Sequence, residues 1–227
     1  MSRLFPPLDH AHHAGRVVTL GTVLGLLALL ALPTGCRPVD GRAATTADAA
    51  AVAQAGGPAA AALAARGSLH DLAGRWRDQD GAERTLASTA APARVVAMVY
   101  TGCVHTCPLI VADMKRLEAA LPADRRADVR FVLVSLDPTR DTPERLREFA
   151  EHAQLDPARW TLLTGGEDDV LELAAALNVR YRQRPDGEFE HGNVLTVLGP
   201  DGAVAFQQLG LGDDATALRA GVERLLP

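Results

Sequence analysis

No excess of positive charge runs through this chain: 23 Lys and Arg stand against 28 Asp and Glu, a formal net charge of −5. A nucleic-acid binder would show a basic balance, so that class is set aside. No internal repeat is visible, which excludes a repeat array. Cysteine is scarce, with Cys36, Cys103 and Cys107 alone in 227 residues. An odd count in an exported protein asks for one cysteine with a job of its own. The 20 Gly and 14 Pro are unremarkable, so a folded domain is expected.

What is present begins at the N-terminus. Val17–Leu32 is uncharged and almost wholly apolar, with Arg3 and Arg16 before it and Pro33-Thr34-Gly35-Cys36 after it. A positive head, an apolar core and small residues before a cut point describe a secretory signal. Ending on Gly-Cys, it is similar to a bacterial lipoprotein signal, in which Cys36 would carry lipid. Pro33 stands where such signals usually have Leu, and an uncleaved membrane anchor is the alternative. Either reading puts the rest of the chain outside the cytoplasm, tethered to a membrane. His10, His12 and His13 read as a solvated head rather than a metal site. Residues 1–36 are thus signal or anchor, and 37–67 an Ala-rich tether broken by Gly56-Gly57-Pro58. Residues 68–227 have the length of a single domain.

That domain is organised around Val95 to Leu121. Val95–Tyr100 is an apolar run with β-branched residues, as expected of a strand buried on both faces. Ile110, Met114, Leu117 and Leu121 then mark one face of a helix that Pro122 closes. Between them, Cys103 and Cys107 sit on a turn at the helix N-terminus, where unpaired N–H groups favour a thiolate. A hairpin is expected at Trp76–Leu86, turning at Asp80-Gly81. Phe131–Leu136 reads as a second buried strand. A helix capped by Asp141 or Thr142 and begun by Pro143 follows, with a stripe at Leu146, Phe149, Ala150 and Ala153. Next come a short strand at Trp160–Leu163 and a helix through Val170, Leu173, Ala174 and Leu177. A polar hairpin from Tyr181 to Glu190, strands at Val194–Leu198 and Ala203–Phe206, and a helix through Leu218, Val222 and Leu225 complete the chain. The order is that of an α/β, thioredoxin-like fold with a mixed central sheet flanked by helices.

Cysteines four apart within one helical turn face the same side, close enough for one metal ion or a disulfide. The spacing is C-x-x-x-C rather than the C-x-x-C of dithiol redox turns. Two thiolates select soft metals such as Cu(I), and an added imidazole gives an S₂N site. His70 and His152 read as solvated. His105, between the cysteines, is a possible extra ligand. His191 precedes the third core strand, in a loop that this fold packs beside the cysteine turn.

Here the residues carry a family resemblance. Tyr100-Thr101-Gly102-Cys103-Val104-His105-Thr106-Cys107-Pro108, the run Val134 to Glu144 and Glu190-His191 together resemble the Sco/SenC family. The resemblance implies a membrane-tethered thioredoxin fold that binds one copper ion, Cu(I) or Cu(II), through two cysteines and a histidine. Carried over by position, those are Cys103, Cys107 and His191, with Asp137 in a motif lining the site. It also implies a metallochaperone, rather than an enzyme, that serves the dinuclear copper site of cytochrome c oxidase. The expected partner is the copper-site subunit of that oxidase or another copper protein. Val104 and His105 depart from the family's usual Pro and acidic residue. The alternative is a thiol–disulfide reductase working through Cys103 and Cys107; it would need no His191, and Gly192-Asn193 stands where its cis-proline belongs. A structural disulfide ranks last, because so short a loop adds little chain-entropy stabilisation.

Overall fold

The computed structural model describes residues 67–212 and 215–227. The signal or anchor of residues 1–36, Cys36 included, and the tether as far as residue 66 lie outside them. All described residues belong to one compact unit, Ala44–Pro227. Among them no helix is long and apolar enough to cross a membrane.

In chain order the elements are β1 (Trp76–Asp78), β2 (Glu83–Arg84), β3 (Ala93–Val99), α1 (Cys107–Ala120), β4 (Val129–Ser135), α2 (Pro143–His152), β5 (Trp160–Gly165), α3 (Glu167–Ala176), β6 (Tyr181–Gln183), β7 (Phe189–His191), β8 (Val194–Leu198), β9 (Val204–Leu209) and α4 (Thr216–Glu223). Seven strands form one sheet in the order β2-β1-β5-β4-β3-β8-β9. Strands β3, β4 and β5 run parallel, while β8 joins β3 antiparallel and β1 joins β5 antiparallel. The sheet is therefore mixed, and β3 lies inside it, paired on both edges.

Every residue of β3 is buried. Its alternation sends Val95, Ala97 and Val99 to one face and Val96 and Met98 to the other. The first face packs on Ile110, Met114 and Leu117 of α1, Leu146 of α2, and Leu218 and Val222 of α4. The second packs on Val170, Leu173 and Ala174 of α3. Each such aliphatic side chain contributes about 1.5–3 kcal/mol on full burial. The cysteine turn inherits this rigidity, because it leaves directly from the end of β3.

One expectation needs correction. His70 is not solvated: it is half-buried with Nε2 2.7 Å from Nη2 of Arg94, a guanidinium enclosed within β3 at 1% exposure. Of the two caps expected for α2, Thr142 takes the place, accepting from the Arg145 N–H at 3.4 Å.

Candidate metal centre

The cysteine turn is built by backbone and by one buried carboxylate. The Cys103 N–H donates to the Tyr100 carbonyl at 3.2 Å, which folds the chain back after β3. Asp141, 1% exposed, accepts from the Thr101 N–H at 3.0 Å, the Thr101 hydroxyl at 2.6 Å and the Ser135 hydroxyl at 2.6 Å. The loop after β4 thus pins the residue two places before Cys103. Asp137, singled out from the sequence, turns elsewhere: its carboxylate is paired with Arg140 and accepts from the Thr139 hydroxyl.

Cys107 is the first residue of α1 and Pro108 follows in its first turn, where a missing N–H costs nothing. Thr106, at the cap, makes no side-chain capping bond. The sulfur of Cys103 takes that place, accepting from the Cys107 N–H at 3.4 Å and lying 3.8 Å from the Thr106 hydroxyl. Burial raises the Cys103 pKa, but hydrogen bonds from the Cys107 amide and thiol, the His105 amide and the Thr106 hydroxyl outweigh it and bring it down to about 7. Cys107 goes the other way: complete burial, chiefly, holds it as a thiol. Both cysteines are free.

His191 is the last residue of β7, a strand position rather than the loop position read from the sequence. Its Nε2 lies 3.4 Å from the Cys107 sulfur and its Nδ1 lies 3.2 Å from the Gly192 carbonyl. A carbonyl only accepts, so the proton sits on Nδ1 and the lone pair of Nε2 faces the sulfurs. Burial lowers the His191 pKa, partly offset by the Gly192 carbonyl, so the imidazole stays neutral at neutral pH. The donor atoms of Cys103, Cys107 and His191 all lie within 4.8 Å of one another. His105 is exposed and outside this group.

The site has neighbours that sequence reasoning passed over. Tyr100 contacts His191 edge-on, ring centroids 6.1 Å apart, and Phe189 at 5.3 Å. Its hydroxyl donates to Glu188 at 2.9 Å and accepts from the Phe189 N–H at 3.3 Å. The signal was available in part: Tyr100 and Asp141 stand within the two motifs, where they passed for a strand end and a helix cap. On the solvent side, Val104 is 77% and Leu109 52% exposed, an apolar rim beside the sulfurs.

The family model described as SCO1/SenC matches residues 70–226. A protein of Bacillus subtilis (strain 168) described as an SCO1 protein homolog is 31% identical over 132 residues, 57% of this chain and 68% of that protein. A putative copper-binding protein of Stutzerimonas stutzeri is 31% identical over 109 residues, 46% of this chain and 52% of that one. The crystal structure of a SCO1/SenC family lipoprotein from Bacillus anthracis str. Ames superposes with a TM-score of 0.62 at 25% identity, covering 69% of this chain and 95% of that one.

Proposed function

The chain belongs to the SCO1/SenC family, and from that premise we propose that it is an extracytoplasmic, membrane-tethered copper metallochaperone. It takes one copper ion on Cys103, Cys107 and His191 and passes it, as cargo, to the copper-site subunit of cytochrome c oxidase or another copper protein. One observation carries the reading: two cysteine sulfurs and one imidazole nitrogen converge within 4.8 Å at the mouth of a rigid sheet. Two thiolates favour Cu(I), and the imidazole extends the donor set to Cu(II). The copper-binding description of the Stutzerimonas stutzeri relative supports the choice of metal.

The chain's own groups are prepared for such cargo. Cys103 is half ionised near neutral pH and held at the helix N-terminus. Cys107 has a proton to give up, so loading releases it, as deprotonation of a ligand requires. The Gly192 carbonyl keeps the His191 proton on Nδ1 and leaves Nε2 free to bind. Copper titration of the reduced full-length chain tests the reading. One ion bound by the parent and none by Cys103→Ala or Cys107→Ala is expected; full stoichiometry in either variant sinks it.

Residues 1–35 direct export as the signal, lipid on Cys36 holds the chain to the membrane, and the Ala-rich tether of 37–67 gives it reach. The SCO1/SenC lipoprotein of Bacillus anthracis supports that arrangement. Mass spectrometry of the N-terminal peptide from the membrane fraction should show a lipid-modified Cys36. An unmodified Cys36 behind an intact signal favours the uncleaved anchor, and a freely soluble chain defeats both.

The second reading, thiol–disulfide exchange with a partner's cysteines, is favoured by the unequal thiols. A sulfur near pKa 7 beside a protonated one suits an attacking and a resolving thiol. Exchange activity that survives His191→Ala while copper delivery fails would show that both activities belong to one site.

A further inference from the structure

The imidazole is carried by a hairpin outside the main sheet, resting on the body through Tyr181 and Phe189. Strands β6 and β7 pair only with each other, in a two-stranded sheet of their own. An isolated hairpin is marginal in water, so the place of His191 depends on what fastens the hairpin to the body. One end is fixed by the chain itself, which runs from His191 into β8, while the Gly192 N–H donating to the Arg180 carbonyl at 2.8 Å extends the hairpin's own pairing by one residue. The other end is a turn at Gly187, whose φ of 83° suits glycine.

Arg140 grips that turn. Its Nε pairs with the buried Asp137, which fixes the guanidinium to the loop after β4. Its Nη2 donates to the Gly187 carbonyl at 2.5 Å, its Nη1 lies 3.9 Å from Glu188, and its Cζ lies over the Phe189 ring, 6.0 Å from the centroid. Glu188 in turn accepts from Tyr100, and the rings of Phe189, Tyr100 and His191 stand in succession. Phe189 and His191 are two apart on β7, hence on one face. That face rests on Tyr100, at the end of β3, which touches both rings. Only an arginine can serve Asp137, a carbonyl and an aromatic face with one planar group.

We propose that Arg140 is a positioning residue for His191: by clasping the β6–β7 turn to the Asp137 loop it holds the imidazole over the sulfurs. This rests on the copper reading above. Arg140 touches neither sulfur nor imidazole, so its effect falls on the ion that needs the nitrogen. Cu(II) binding weakens most when the clasp opens, whereas Cu(I), held mainly by the two thiolates, loses less.

The test uses the full-length chain in detergent and the variant Arg140→Lys, which keeps a cation beside Asp137 but loses the fork. In the metal-free protein, amide exchange across residues 181–191 should speed up while β3 and β4 keep their protection. Cu(II) affinity should fall about 10- to 100-fold, the range for groups that orient a ligand. Cu(I) affinity should fall by less than Cu(II) affinity, and the nitrogen coupling in the Cu(II) resonance spectrum should weaken. Unchanged hairpin exchange and unchanged Cu(II) affinity would overturn the assignment. So would a loss shared equally by Cu(I), Cu(II) and the protection of β3, which would make Arg140 a stability residue only. A parent chain that binds no nitrogen-coupled Cu(II) defeats the copper reading instead, and the exchange measurement then decides Arg140 by itself.

Discussion

A sulfur's hydrogen-bond partners decide whether it is thiol or thiolate, and Cys103 and Cys107 differ in theirs. Cys103 collects donors from the first turn of α1, which favour its charged form. Cys107 is sealed at 0% exposure against 7% for Cys103, so only one thiol is both ionised and reachable. In the reduced, metal-free chain the alkylation rate of Cys103 should therefore rise through about pH 7 and level off above it. Cys107 should stay unmodified across that range. Equal rates at the two positions, read by mass spectrometry of the peptides, would contradict this asymmetry. The apolar run before the two cysteines and the helical stripe after them announced a helix N-terminus. They could not announce the asymmetry, which comes from Cys107 being the first helical residue while Cys103 stays outside the helix.

At the scale of elements, the apolar runs of β3, β4 and β8 and the stripes of α1 and α3 were legible because burial on both faces or one leaves a period in the sequence. The pairing of β1 with β5 was not, since strands of three and six residues carry no record of their neighbour. Nor did the apolar run Val95–Tyr100 reveal that β3 begins two residues earlier and encloses Arg94. That guanidinium donates to the carbonyls of Leu86 at 2.8 Å and Gly199 at 3.3 Å and faces His70. Burial, chiefly, lowers the Arg94 pKa to about 10. Burial first, then the charge of Arg94, lowers the pKa of His70, with Asp201 and Asp71 opposing. A histidine whose folded pKa lies below its unfolded 6.5 stabilises the fold above that value and loses this as pH falls through the folded one. Denaturation midpoints should accordingly drop from about pH 7 to about pH 5. His70→Gln, which can still accept from Arg94 without titrating, should shrink the drop; an undiminished drop would place the acid sensitivity elsewhere, with His191 next to examine.

Across the whole domain, the chain enters at one pole and the site lies at the other. The Leu69 N–H donates to the Gly202 carbonyl, in the turn joining β8 to β9, and Ser68 donates to the Asp201 carbonyl. That turn sits beside Arg94 at the start of β3, whereas the cysteine turn leaves from its end. A strand of seven residues separates them by roughly 20 Å. A chain held to a membrane by residues before Gly67 would thus present its sulfurs away from the point of entry, as a carrier that meets a partner needs. The claim that joins these scales is that His191 completes a copper site with Cys103 and Cys107. Its most direct measurement is the affinity of the full-length chain for Cu(II) and Cu(I), side by side with His191→Ala. The variant should lose stable Cu(II) binding and its nitrogen coupling while retaining weakened Cu(I) binding. Cu(II) held by the variant with the parent's affinity and spectrum would contradict it, and His191 would not be a ligand.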